Sequence, residues 1–156
     1  MQTSIPKILP SLVFDDQAEQ AVHFYASIFT NSKIINTIRS DDGKVSLIAF
    51  YLNGQEFQVA NGGSGFPFGA GMSMYVNCDT QEEIDLLWEK LLEGGDAENC
   101  GWLRDKFGVY WQIAPAIVWE MMKDPDAQKT SRVLNAMYQM KKLDIAEIQR
   151  AYHGES

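Results

Sequence analysis

In two segments of the chain, apolar residues recur with the spacing of an amphipathic helix. In other segments they alternate with polar residues, as they do in strands. Apolar side chains three and four residues apart predict two amphipathic helices. Their apolar faces carry Ala18, Ala21, Val22, Tyr25 and Ile28 in the first helix, and Ile84, Leu87, Trp88 and Leu91 in the second. A short apolar strand that ends in an acidic residue precedes each helix, at 12–16 and at 75–79.

The two helices belong to a segment that occurs twice. Asp16 corresponds to Asp79, and Tyr25 corresponds to Trp88 at the same spacing. Further on, the sequence Phe57-Gln58-Val59-Ala60 corresponds to Trp111-Gln112-Ile113-Ala114 at a smaller spacing. Two matches in the same order indicate an internal repeat whose second copy has lost residues after its helix.

Each copy is predicted to consist of a strand, a helix and further strands. We place the later strands of the first copy at 33–39, 45–52 and 55–60, and the strands of the second copy near 72–77, 97–103 and 109–113. The chain is expected to form a single α+β domain, residues 1–156. Within it we place repeat 1 at 5–62, a linker at 61–71, repeat 2 at 70–115 and a helical tail at 116–156.

Acidic or hydroxyl residues with a glutamate three positions later predict where helices begin. This spacing occurs at Asp16 with Glu19, at Thr80 with Glu83 and, in the tail, at Asp144 with Glu147. Elsewhere in the tail, Val133, Met137 and Met140 form an apolar stripe. A methionine-rich stripe of this kind fits either internal core or a face that contacts a partner.

Charge and hydropathy exclude several classes of protein. The chain has 13 basic and 21 acidic residues, a formal net charge of −8, and an acidic surface repels nucleic-acid phosphates. No apolar run has the length of a membrane span, and the first residues lack a signal-peptide pattern. We therefore expect a cytoplasmic protein without a nucleic-acid or membrane partner, in which Cys78 and Cys100 are reduced thiols.

The last strand of each copy has one apolar face and one polar face. The apolar faces, with Phe57, Val59, Trp111 and Ile113, are expected to pack against the repeat helices. The opposite faces are polar, and they either contact solvent or line a pocket for a small polar aromatic molecule. Trp102, in a turn after Gly101, either covers such a pocket or fills core. The ligand candidates are Glu56, Gln58, Ser73, Tyr75, Asn77, Trp102, Tyr110 and Gln112.

Several stretches resemble a known family. They include Phe14-Asp15-Asp16-Gln17-Ala18-Glu19, Cys100-Gly101-Trp102-Leu103-Arg104-Asp105-Lys106-Phe107-Gly108 and Trp111-Gln112-Ile113. They are similar to the vicinal oxygen chelate superfamily of glyoxalases, extradiol dioxygenases and bleomycin-resistance proteins. Within it they resemble the PhnB-like branch, labelled 3-demethylubiquinone-9 3-methyltransferase-like. The resemblance implies two βαβββ repeats that form a cupped mixed sheet, a ligand cup between the repeats, and a homodimer.

The same resemblance places the superfamily's metal ligands at Pro10, Gln58, Ser73 and Gln112. None of these residues is a histidine, cysteine or carboxylate, the residues that usually hold a tight divalent ion. We therefore expect no metal and no cofactor. The methyltransferase label is not carried over either, because the sequence lacks the glycine-rich turn of a Rossmann-type cofactor site.

The leading hypothesis is a PhnB-like protein of undetermined activity that binds an unidentified small molecule, and it leaves open whether the protein is an enzyme. Two alternatives stand beside it. One is a metal-dependent, glyoxalase-like lyase or isomerase that uses Gln58 and Gln112, and the other is a non-catalytic protein that sequesters an antibiotic or another drug.

Overall fold

The structure, a computed structural model, describes residues 5–155. The chain divides into two compact units, Met1–Pro67 and Phe68–Ser156. No helix within the described residues is both long enough and apolar enough to cross a membrane.

The first unit contains one helix and one four-stranded sheet. Its elements in chain order are β1 (Ser11–Val13), α1 (Ala18–Ile28), β2 (Lys33–Arg39), β3 (Val45–Leu52) and β4 (Gln55–Ala60). The strand order in the sheet is β1-β4-β3-β2, with β1 parallel to β4 and the other neighbours antiparallel. The predicted bounds of the last three strands agree with the structure.

The core of the first unit lies between α1 and the apolar face of its sheet. Four residues of the predicted helix stripe, Ala18, Ala21, Val22 and Tyr25, are buried. On the sheet, Phe50 and Phe57 stack with ring centroids 5.5 Å apart, and Val59 is fully buried. The alternation predicted for β4 is therefore confirmed, and its polar positions lie on the face away from the helix.

The start of α1 differs from the prediction. The residue before the helix is Gln17, which makes no side-chain cap, and Asp16 is not the N-cap. Instead the Asn61 side chain, which follows β4, accepts a hydrogen bond from the Ala18 backbone N–H at 2.9 Å. The same amide donates to the Val45 carbonyl at 3.1 Å. A residue that is distant in sequence therefore satisfies a helix N–H that a local cap usually satisfies.

The second unit repeats the topology of the first with shorter strands. Its elements are β5 (Met74–Cys78), α2 (Gln81–Leu92), β6 (Asp96–Ala97), β7 (Trp102–Arg104) and β8 (Tyr110–Pro115). The sheet order is β5-β8-β7-β6, with β5 parallel to β8 and the other neighbours antiparallel. The two βαβββ repeats are confirmed, and Gln58 and Gln112 lie on the equivalent strands β4 and β8.

The middle of the second unit corrects one predicted strand. Residues 97–103 do not form a single strand, because a tight turn separates the short strands β6 and β7. Cys100 and Gly101 in this turn have positive φ angles of 61° and 79°. A Cβ atom on Gly101 would lie 2.7 Å from the Ile113 carbonyl oxygen, so this close approach requires glycine.

The predicted start of α2 agrees with the structure. The Thr80 hydroxyl accepts a hydrogen bond from the Glu83 backbone N–H at 3.2 Å, and the Glu83 carboxylate accepts from the Asp79 N–H at 2.9 Å. The pair is a variant of the capping box, because the glutamate accepts from the residue before the N-cap and not from the N-cap itself.

The tail forms three helices, α3 (Ile117–Met121), α4 (Ala127–Gln139) and α5 (Ile145–His153). Val133 and Met137 are buried in a cluster that also contains Ala114 of β8, and Met140 packs against this cluster. The methionine stripe is therefore internal core. The backbone N–H groups of Cys100 and Gly101 donate to the Met140 and Lys141 carbonyls at 2.7 and 2.8 Å, which joins the tail to the β6–β7 turn.

Asp105 is the buried charged residue of the described chain, with 2 % of its surface exposed. Its carboxylate accepts hydrogen bonds from the backbone N–H groups of Phe107 and Val109 at 2.8 and 3.1 Å. It also accepts from the Trp111 indole N–H at 2.8 Å. These three donors come from the β7–β8 connection and from β8, so one carboxylate fixes the hairpin.

Replacing Asp105 with alanine should destabilise the protein strongly. The Asp105→Ala variant leaves buried N–H donors without an acceptor, and we expect its free energy of unfolding to fall by about 3 kcal/mol. Chemical denaturation measures this change, with Asp41→Ala in the exposed β2–β3 turn as the matched control. A loss no larger than that of the control would contradict the structural role of Asp105.

Candidate functional site

The polar candidates of the second unit lie on one face of its sheet. Residues directly opposite each other on neighbouring strands project to the same side. Gln112 of β8 lies opposite Trp102 on one side and Tyr75 on the other, which gives the row Trp102–Gln112–Tyr75. Trp102 is half-buried and belongs to this polar face, whereas its neighbour Leu103 is buried on the opposite face.

Further candidates extend this row. Tyr110 is two residues before Gln112 on β8 and opposite Arg104, and Asn77 is two residues after Tyr75 on β5. Ser73 immediately precedes β5, and its hydroxyl accepts a hydrogen bond from the Gln112 side-chain amide at 2.9 Å. We use the name Gln112 face for Ser73, Tyr75, Asn77, Trp102, Tyr110 and Gln112 together.

The structure adds one residue that sequence reasoning missed. Trp119 of α3 donates its indole N–H to the Asn77 side-chain oxygen at 2.8 Å. Its ring centroid lies 5.7 Å from that of Tyr75, with the two ring planes inclined by 58°. The available signal was a tryptophan near the start of the predicted helical tail, directly after β8, but that tail lies outside the repeat.

The candidates of the first unit lie on the polar face of its own sheet. Gln58 is half-buried, and its side-chain amide donates to the Ser11 hydroxyl at 3.1 Å. Glu56 lies opposite Tyr51, and Tyr51 lies opposite Lys33. Each repeat thus contains a glutamine on its last strand that donates to a serine at the first strand. Pro10 offers only its carbonyl, which accepts a hydrogen bond from the Gln58 backbone N–H at 3.0 Å.

The donor atoms at the four expected metal positions do not fit a tight divalent site. Gln58 and Gln112 have side-chain amides that donate to serine hydroxyls. Ser73 has one of these hydroxyls, and the side chain of Pro10 has no ligand atom. Within residues 5–155, no group of three or more histidine, cysteine, aspartate or glutamate residues is placed to hold a metal ion. Divalent ions in proteins bind most tightly where charged or imidazole ligands replace their water.

The two cysteines and the tyrosine near the Gln112 face favour their neutral forms. Burial raises the pKa of Cys78 to about 12, and burial also raises the pKa of Cys100. Burial likewise raises the pKa of the Tyr75 phenol. Both cysteines are free thiols, so neither supplies a thiolate nucleophile at neutral pH, and Tyr75 keeps its proton as a hydrogen-bond donor.

A separate surface cleft of about 720 Å³ lies in the first unit, next to the start of α1. Its lining includes Asp15, Asp16 and Glu19, opposite Arg39 and Lys44. Arg39 and Glu19 form an exposed ion pair at 2.6 Å. This pair is open to water and Lys44 is paired with Asp42, so the two cations of the cleft already have partners and the cleft is a weaker candidate site than the Gln112 face.

The two βαβββ units have the topology of the vicinal oxygen chelate fold. A model of the family described as 3-demethylubiquinone-9 3-methyltransferase matches residues 6–114, and the chain belongs to this family. The match ends within β8, so α3, α4 and α5 lie beyond it. A search of curated proteins found no match.

Three solved structures illustrate the similarity. The chain is 38 % identical to a PhnB protein from Bacillus cereus over 71 % of this chain and 100 % of that one, with a TM-score of 0.68. The fosfomycin resistance protein FosX from Listeria monocytogenes is 16 % identical over 80 % and 100 % of the two chains, at 0.59. Protein PA1353 from Pseudomonas aeruginosa is 19 % identical over 69 % and 95 %, at 0.56. The last two similarities show the fold alone.

Proposed function

We propose that this protein binds an uncharged small organic molecule on the Gln112 face. The observation that carries the proposal is the row Trp102–Gln112–Tyr75, with Ser73 hydrogen-bonded to its central glutamine. Aromatic side chains with a few fixed polar groups are the usual lining of small-molecule sites. We further propose Glu56 and Gln58 as ligand-binding residues. They lie on the corresponding polar face of the first repeat.

Binding by hydrogen bonds and ring contacts suits this surface better than metal chemistry does. FosX has been solved in complex with Mn(II), which makes a metal-dependent lyase or isomerase the natural alternative for this fold. The neutral amide and hydroxyl groups of Gln58, Ser73 and Gln112 do not favour it here. A protein that sequesters a drug without reacting fits the same surface, and release of intact ligand distinguishes it from an enzyme that turns its ligand over.

Methyl transfer is not part of the proposal, although the family's description names it. Nucleotide-like cofactors in parallel α/β folds use a glycine-rich turn between a strand and the following helix. The turns that lead into α1 and α2 here, 14–17 and 79–80, contain no glycine. The net charge of −8 further supports a protein without a nucleic-acid partner, and we propose a cytoplasmic location, where its free thiols remain reduced.

Loss of the central glutamine should abolish binding. Native mass spectrometry of the purified protein should detect a bound small molecule, and the Gln112→Leu variant should lose it because its amide is replaced by an apolar group of similar length. The control is Gln149→Leu on the exposed side of α5, which should retain the molecule. The proposal fails if Gln112→Leu retains it, or if neither copurified molecules nor a library of neutral metabolites bind the wild-type protein.

Metal analysis tests the alternative directly. Protein purified without chelator and without a polyhistidine tag should contain far less than one equivalent of zinc, nickel, iron or manganese, because the four family positions offer no charged ligand. One equivalent per chain that disappears in both Gln58→Ala and Gln112→Ala would instead support the metal-dependent enzyme.

We also propose that the protein is a homodimer. The methionine stripe is internal core and does not support this proposal, but the edge of the first sheet does. The first unit's edge strand β2 exposes Ile34, Ile35 and Ile38, and exposed apolar edge strands favour association. Light scattering should give twice the chain mass of 17.6 kDa, and the double substitution Ile35→Lys with Ile38→Lys should give the monomer. A wild-type protein that scatters as a monomer at micromolar concentration would exclude the dimer.

A further inference from the structure

Trp119 provides a flat aromatic wall beside the Gln112 face. We infer that the ligand carries an uncharged planar ring that stacks on this indole, and that Trp119 is a specificity-determining residue contributed by the tail. This inference rests on the function proposed above and specifies the chemical class of the ligand.

The indole of Trp119 is exposed but held in one orientation. Trp119 is 54 % exposed, and the neighbouring Tyr75 is 39 % exposed. The hydrogen bond to Asn77 and the contact with Tyr75 fix the indole from two sides. Two large rings that are positioned by specific contacts and still open to solvent are typical of a binding surface.

The way in which Trp119 is held determines what it offers a ligand. Its single N–H already donates to Asn77, so the ring itself is the part available for contact. The electron-rich face of an indole binds flat rings by offset stacking and also binds cations. The choice between these two ligand classes depends on the charges nearby.

The charges nearby do not favour a charged ligand. The Gln112 face consists of neutral side chains, and Arg104, which lies beside Tyr110, is paired with Asp96 at 2.8 Å. Glu120, the neighbour of Trp119, is paired with Lys123 at 2.7 Å. A cation or an anion would lose hydration here without meeting an unpaired opposite charge, whereas a neutral ring with hydrogen-bonding groups would not.

The backbone of α3 explains why Trp119 stays in place. Val118 and Met121 are buried in the tail cluster, which directs the intervening Trp119 away from that cluster. The Ala116 N–H donates to the Cys78 carbonyl at 2.8 Å and so ties the start of α3 to the end of β5. Because α3 lies beyond residues 6–114, this aromatic wall is an addition to the part of the chain that the family model describes.

Nitrogen-15 NMR of the full chain tests the inference. The four tryptophans give four indole N–H signals, and the Trp119→Leu variant identifies the one from Trp119. The probes are benzamide and phenol, with their saturated counterparts cyclohexanecarboxamide and cyclohexanol, and choline as a cationic probe. We expect the aromatic probes to shift the Trp119 indole and Gln112 amide signals, and the saturated and cationic probes to leave the indole signal unchanged.

Affinity measurements on variants separate stacking from a structural role. Trp119→Leu should weaken benzamide binding roughly two- to tenfold, the range of one aromatic contact, while Trp119→Phe should retain most of the affinity. Tyr138→Ala, at an exposed aromatic of α4, is the matched control and should change nothing. Unfolding temperatures of all three variants show whether the tail remains folded.

The outcomes distinguish this inference from the function on which it rests. If aromatic probes shift the Gln112 amide but leave the Trp119 signal unchanged, the binding face stands and the inference is wrong. If saturated probes or choline shift the Trp119 signal as much as the aromatic probes do, the ligand class is wrong. If no probe shifts either signal, both proposals fail.

Discussion

One buried carboxylate holds the second repeat together. Asp105 accepts three N–H donors from the β7–β8 hairpin, and this hairpin places Trp102 opposite Gln112. In the first repeat the corresponding pairing involves a β3 strand of eight residues, whereas β7 has three. The shortened copy has fewer ladder hydrogen bonds, and a charge-assisted network inside the turn compensates for them. The geometry of the Gln112 face therefore depends on a residue that is not part of it.

Sequence patterns predicted the longer elements well and the shortest ones poorly. Burial alternates along β3 and β4, which is why 45–52 and 55–60 matched the structure. The strand 33–39 also matched, although its residues are mostly exposed and show no alternation. The hairpin within 97–103 was missed, because strands of two and three residues are too short to show a period. Local spacing predicted Asp16 as the N-cap of α1. The residue that accepts a hydrogen bond from the Ala18 N–H is instead Asn61, which is distant in sequence.

The candidate site was predictable where it follows the repeat. Aligning the two copies paired Gln58 with Gln112 and Pro10 with Ser73. Within the second copy, the structure joins Ser73 to Gln112 by a hydrogen bond. The role of Trp102 was left open, because the side of the sheet to which it belongs depends on the register of β7 with β8. The sequence did not show where the turn before β7 lies. Trp119 was missed, because comparing two copies carries no information about a tail that occurs once.

The repeat and the tail therefore make different contributions to function. In each repeat, a glutamine amide is paired with a serine hydroxyl on the polar face of the sheet, so these central positions bring no charge to a ligand. Uncharged positions of this kind bind through shape and hydrogen bonds, and their selectivity depends on the side chains that surround them. Trp119 is such a side chain, and it comes from a helix whose buried neighbours belong to the tail cluster. Changes in that helix can alter which ring is bound while leaving the strands and the Asp105 hairpin intact.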